Sequence, residues 1–189
     1  MKTILILPLM MLLSACGSQN LKPINTVDYV DLDRFMGDWY VIANIPTFIE
    51  TGAYNAIENY TMNDDGSIAT TFTFHDSAPD GELKKYEPTG FIVDKASNAL
   101  WDMQFIWPFK AEYRVIYLDD DYETTIIGRT KRDYVWLMSR QPGIDESEYK
   151  TLLAYLESQD YDISKVQKVP QVWEKEPEAG NDNLEERGQ

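Results

Sequence analysis

Cysteine is almost missing from this chain of 189 residues: Cys16 stands alone, so no disulfide can close within one copy. Histidine is equally scarce, and His75 falls at a predicted strand end with no second ligand at a meaningful spacing for a metal or a haem iron. Nucleophile–base catalysis is therefore poorly supplied. Among 32 acids some carboxylate pair will always look suggestive, but no spacing singles one out. The chain is read as a non-enzyme that needs no cofactor and no metal. Positive charge is short as well: 17 Lys and Arg oppose 32 Asp and Glu, a net charge of −15, which makes nucleic acid a poor partner. Long apolar runs are also lacking. The run Ile4 to Leu13 reaches about half the ~20 residues that a membrane helix requires.

That run has a different use. Lys2 supplies a positive start, the apolar run follows, and Leu13-Ser14-Ala15-Cys16 comes next, an arrangement that resembles a bacterial lipoprotein signal cut before an acylated cysteine. Residues 1–15 are thus the expected signal peptide and Cys16 the lipidation site. Two or more acyl chains, at about 0.8 kcal/mol per buried methylene, would make the anchor effectively permanent. Gly17 stands where an Asp would resemble an inner-membrane retention signal. The expected place is the outer membrane, on its periplasmic face. Residues 17–30 read as a polar, mobile tether with Pro23, and residues 174–189 as an acidic, disordered tail.

What the chain does have is aromatic residues: twelve Tyr, seven Phe and five Trp, more than packing of so small a domain normally requires. They recur in short β-branched and aromatic segments bounded by Gly, Pro, Asn or Asp, the pattern of an antiparallel sandwich or barrel. Eight are expected, near 38–46, 54–62, 67–75, 86–93, 99–106, 112–118, 123–129 and 134–140, with a hairpin at Asp64-Asp65-Gly66. Period-two alternation sets Trp101, Met103 and Phe105 against Asp102 and Gln104, and Tyr113, Val115 and Tyr117 against Glu112 and Arg114. The period then changes. Tyr149, Leu152, Leu153 and Leu156 lie at helical spacing within Ile144 to Gln159, and Asp145 with Glu148 makes a capping-box pattern. One helix should bury its stripe against the outside of the sheet, and a short edge strand is expected near 165–169.

The stretch DLDRFMGDWYVIANIPTFIE resembles the first lipocalin signature, with Gly37, Asp38 and Trp39 as its G-x-W. Asp121-Tyr122 is similar to the family's T-D-Y region, with Asp120 in place of Thr, and YVWLMSRQP resembles the third signature around Arg140. Three signatures in order, then a single helix, resemble bacterial lipocalins and apolipoprotein D over nearly the whole mature domain, 31–173. The resemblance implies an eight-stranded up-and-down antiparallel β-barrel with one C-terminal α-helix packed outside. Trp39 and Arg140 would meet at the closed end, where Gly37 allows close approach and a cation–π contact forms; these three are structural plugs.

Placing Arg140 inward puts Met138 and Trp136 inward, and the same bookkeeping with the resemblance adds Tyr60, Phe72, Phe74, Trp101, Met103, Phe105, Tyr113 and Val115. An eight-stranded barrel either fills with side chains or encloses one small ligand. As a set these residues are read as the wall of a cavity for a lysophospholipid or fatty acid. Lys110, Lys131 and Arg132, on loops expected at the mouth, either hold a phosphate headgroup or are solvated. The expected function is a membrane-anchored carrier in envelope maintenance, monomer or homodimer. A lipocalin-fold enzyme and a filled scaffold lipoprotein are the alternatives.

Overall fold

The computed structural model describes residues 21–173. The chain runs up and down through β1 (Gly37–Ile45), β2 (Ala53–Met62), β3 (Ile68–Asp76), β4 (Leu83–Tyr86), β5 (Thr89–Ile92), β6 (Leu100–Ile106), β7 (Phe109–Leu118), β8 (Thr124–Gly128) and β9 (Val135–Ser139). Neighbours pair antiparallel, and β9 returns to pair with β1 from Tyr40↔Ser139 to Ile45↔Val135, closing the barrel. The single strand expected at 86–93 is two short pieces, since β4 and β5 both pair with β3 and are parted at Glu87-Pro88. Pro88 has no N–H to give to a ladder, although its carbonyl still accepts from Thr70 N at 3.1 Å. Counted as one strand with a break, β4 and β5 make the barrel eight-stranded.

Burial follows the two faces of the sheet. Trp39, Tyr60, Phe72, Trp101, Tyr113, Val115 and Met138 point inward and are buried. On the outer face Ile42, Ile116, Ile126 and Leu137 meet Tyr149, Leu152 and Leu156 of α2 (Glu146–Ser158). β8 is buried along its whole length because the cavity side and the helix side are both covered. The expected capping box does not form. Asp145 precedes the helix without a side-chain cap, and Glu148 instead accepts from Thr124 Oγ1 at 2.8 Å, tying helix to strand.

Two terminal segments are packed, which corrects the reading of residues up to 30 as a loose tether. Ile24 and Val30 are buried; Val27 N donates to Val115 O at 2.9 Å and Val30 N to Ser97 O at 2.7 Å. After α2 and a short 3-10 turn (Ile163–Lys165), β10 (Gln167–Lys168) joins the upper part of β1. There β1 and β2 have parted, their ladder covering only Gly37–Tyr40. Gln171 bridges the seam, donating to Val41 O and Ala56 O, and Asn55 clasps Val172 through both backbone groups, held at φ 51°. The signal peptide, Cys16 and the acidic tail lie outside the described residues.

Candidate ligand-binding site

One end of the barrel is built shut. Asp31 caps α1 (Leu32–Phe35), its carboxylate accepting from Asp33 N and Arg34 N, and the helix drops Phe35 into the barrel. Trp39 donates its indole N–H to Phe35 O at 2.9 Å. The Arg140 guanidinium lies 3.7 Å from the centre of the Trp39 ring and donates to the carbonyls of Arg34, Phe35, Met36 and Asp38. Gly37, at φ 95°, lets this happen: a Cβ there would sit 3.5 Å from Arg140 Nη1 in a backbone conformation other residues resist. Tyr122 completes the floor, accepting from Asp31 N and lying 3.9 Å beneath Arg34.

Above the floor the interior is solid. Trp101 stacks on Tyr113 with centroids 4.9 Å apart, Phe35 meets Trp101 edge-on, and the Tyr60 and Tyr113 hydroxyls share a hydrogen bond of 2.6 Å. Burial holds both phenols well above their usual ionisation range, so they remain neutral. From this layer upward a cavity of about 470 Å³ opens, inside the ~300–1,000 Å³ common for small-molecule sites. Phe72, Met103, Ile127, Trp136 and Met138 wall it, and Phe48, Phe105, Ile106 and Phe109 stand at the rim.

Four acids border this apolar space; Glu87 is exposed and Glu112 is tied to Thr130, which leaves Glu50 and Glu58 in the interior. Glu50, on the loop from β1 to β2, is 2% exposed and accepts from Thr47 N at 2.8 Å and from the Trp136 indole at 3.0 Å. Glu58 faces inward between Trp39 and Phe72 on the neighbouring strands, open to the cavity and otherwise enclosed by protein. Desolvation, helped by the Glu50 carboxylate and opposed by hydrogen bonding to Tyr60, pushes the Glu58 carboxyl up to about 8. It therefore carries its proton at neutral pH. Cations gather only at the rim: Lys110 lies 4.0 Å over the Phe91 ring and 3.8 Å from Asp102, and Arg129 lies 3.4 Å from Asp133. The Arg129 Nε has no hydrogen-bond partner among the described residues.

The family model described as a lipocalin-like domain matches residues 30–171. The chain belongs to the lipocalin family. Temperature-induced lipocalin-1 of Arabidopsis thaliana is 31% identical over 159 residues, covering 79% of this chain and 84% of its own length. Outer membrane lipoprotein Blc of Citrobacter freundii is 30% identical over 170 residues, covering 89% of this chain and 92% of its own. Among solved structures, insecticyanin from the tobacco hornworm Manduca sexta superposes with a TM-score of 0.64 at 16% identity, over 80% of this chain and 86% of that one, a likeness of fold.

In this lipocalin Tyr60, Phe72, Met103, Phe105, Tyr113, Trp136 and Met138 line the cavity. Three residues expected on the wall do not. Trp101 and Val115 belong to the filled lower layer, and Phe74 is covered by Phe72 and Tyr86, so all three face inward without reaching open space. Of the expected headgroup contacts, Lys110 is at the rim and Lys131 is exposed outside the lining. Arg132 is a correction. It is 8% exposed and spends its guanidinium on the carbonyls of Gln159, Thr130 and Lys22, so it is a structural clasp. Glu58, Glu50 and Arg129 were missed. Glu58 stands two residues before Tyr60 on the same strand, and that parity marks it as inward; Arg129 begins the basic run that continues through Lys131 and Arg132. Among the described residues no group of three or more His, Cys, Asp or Glu side chains is placed to hold a metal.

Proposed function

We propose that this lipocalin binds a single-chain lipid, a lysophospholipid or fatty acid, with its acyl chain in the cavity and its headgroup at the rim, and that it does so as a carrier, without catalysis. The observation that carries this reading is the polarity of the cavity along its axis. Apolar walls run down to a neutral Tyr60–Tyr113 layer, Glu58 beside it is protonated, the Glu50 carboxylate repels an anionic group carried inward, and Lys110 and Arg129 offer positive charge at the opening. Enclosing a sixteen-carbon chain yields on the order of 12 kcal/mol gross at ~0.8 kcal/mol per methylene, less several kcal/mol for association and ordering, which supports micromolar or tighter binding. The lipoprotein-like Leu13-Ser14-Ala15-Cys16 and the relatives named outer membrane lipoprotein support an acylated Cys16 and residence at the outer membrane, on its periplasmic face.

Native mass spectrometry with lipid extraction, followed by tryptophan-fluorescence titration with lysophospholipids and fatty acids, tests the reading. One-to-one saturable binding at micromolar concentration or below is expected. No bound lipid and no saturable change across the panel would overturn it.

A further inference from the structure

Four large apolar side chains stand nearly bare at the mouth. Phe48 is 90% exposed on the loop from β1 to β2, and Ile106, Trp107 and Phe109 are 72%, 81% and 76% exposed where β6 turns into β7. Covering such side chains removes apolar surface from water, and a cluster left in water at the edge of a binding cavity marks a contact surface. Phe48, Ile106 and Phe109 also border the cavity, so whatever covers this surface meets the opening too.

The chain outside the described residues leaves from the same end. Arg132 sits on the mouth loop between β8 and β9 and donates from Nη2 to Lys22 O at 2.8 Å. From there the chain descends the barrel, bonding to Val115 and then Ser97, until α1 closes the floor. Cys16 precedes Lys22 by six residues, a span of at most ~20 Å at ~3.3–3.6 Å per residue. A lipid on Cys16 therefore holds the mouth, and not the floor, against the bilayer.

From these two placements we infer that the mouth docks on the membrane surface, with Phe48, Ile106, Trp107 and Phe109 seated in the lipid interface and the cavity opening onto the bilayer. The orientation rests on the lipoprotein reading of Cys16, and the consequence for ligand transfer rests on the lipid-binding reading. Aromatic rings, Trp above all, favour the zone where headgroups meet chains. A net charge of −15 works against attraction to anionic lipid, so the contact expected is apolar and insensitive to salt.

The test uses the acylated full protein in phosphatidylcholine vesicles that contain a phospholipid brominated on its acyl chains, a quencher confined to the bilayer. Tryptophan fluorescence should be quenched, most of that quenching should vanish in Trp107→Phe, and raising salt should leave it unchanged. Quenching that is absent, or that is equal in wild type and Trp107→Phe, overturns the inference. So does analytical ultracentrifugation of the vesicle-free protein showing a dimer that Phe48→Ser/Trp107→Ser/Phe109→Ser turns into a monomer, since a second copy then covers the surface. Lysophospholipid binding in vesicle-free solution keeps the two readings apart. Binding there without quenching of Trp107 overturns docking alone, and quenching without such binding overturns the carrier reading alone.

Discussion

In the unfolded chain Glu58 ionises as an ordinary carboxylic acid near 4.5, whereas in the barrel it keeps its proton up to about 8. Folding takes up a proton between those values. The stability this group allows is complete below 4.5, declines as the pH rises, and is lost once the pH passes about 8. Each unit of separation is worth about 1.4 kcal/mol, so the cost above pH 8 is several kcal/mol. Glu58→Gln keeps the shape and cannot ionise. Thermal unfolding of variant and wild type should coincide near about pH 5, and the variant should be the more stable by about pH 9; a difference that does not grow with pH would mean the carboxyl is solvated. Two tryptophans separate floor from wall in the same way. Trp39→Ala removes the ring under Arg140 and should destabilise by roughly 3–5 kcal/mol in denaturant unfolding. Trp136→Ala, at the cavity wall, should weaken lysophospholipid binding at least tenfold while costing less stability. Reversal of that pattern would exchange their roles.

At the scale of elements, what was legible in the sequence is what depends on neighbours a few residues away. Alternation marked inward side chains in β6 and in β7 as far as Val115, where a bulge breaks the period and turns Tyr117, expected on the Tyr113 face, outward against Tyr155 of α2; the Asp64-Asp65-Gly66 turn marked a hairpin, and the Gly37, Trp39 and Arg140 signatures marked the floor. Depth along the barrel was not legible, because alternation says which face a residue takes and nothing of what lies above it; Trp101 and Val115 share parity with lining residues yet sit in the filled layer. Pairings across long separations escaped as well. Glu148 left its capping role for Thr124, 24 residues away, and Arg132, although on the mouth loop, turns its guanidinium to Lys22 and Gln159 and away from the cavity. The C-terminal strap is another such case, since nothing near Gln171 announces that it bridges β1 and β2. Gln171→Ala leaves Val41 O and Ala56 O without that donor and should cost about 1–2 kcal/mol. Hydrogen exchange should quicken at the amides of Asn55, Val169 and Val172, which the strap protects; unchanged exchange there would show that the seam holds without the bridge.

Over the whole molecule the barrel is asymmetric along its axis, and that asymmetry decides how a ligand can act on it. The floor is cross-linked by hydrogen bonds from Arg140, Trp39 and Asp31 and by a continuous aromatic layer, so a ligand above it finds groups already in place. The mouth is held by fewer ties. Its loop at residues 46–52 is pinned chiefly through Glu50 to Thr47 and Trp136, and Phe48 and Trp107 lie in the open. Binding energy spent on ordering should therefore appear at the mouth. Saturating the protein with lysophospholipid at ~100 times its dissociation constant stabilises the fold by about 2.7 kcal/mol overall. Hydrogen exchange resolved by segment should place the added protection, beyond that global gain, on residues 46–52, 105–110 and 129–134. Residues 31–40 and 119–123 should gain no more than the global amount, because their amides open only when the floor itself unfolds. Equal extra protection at both ends would mean that the aromatic layer yields to the ligand, that the cavity of about 470 Å³ is only the upper part of the bound volume, and that the closed end takes part in binding.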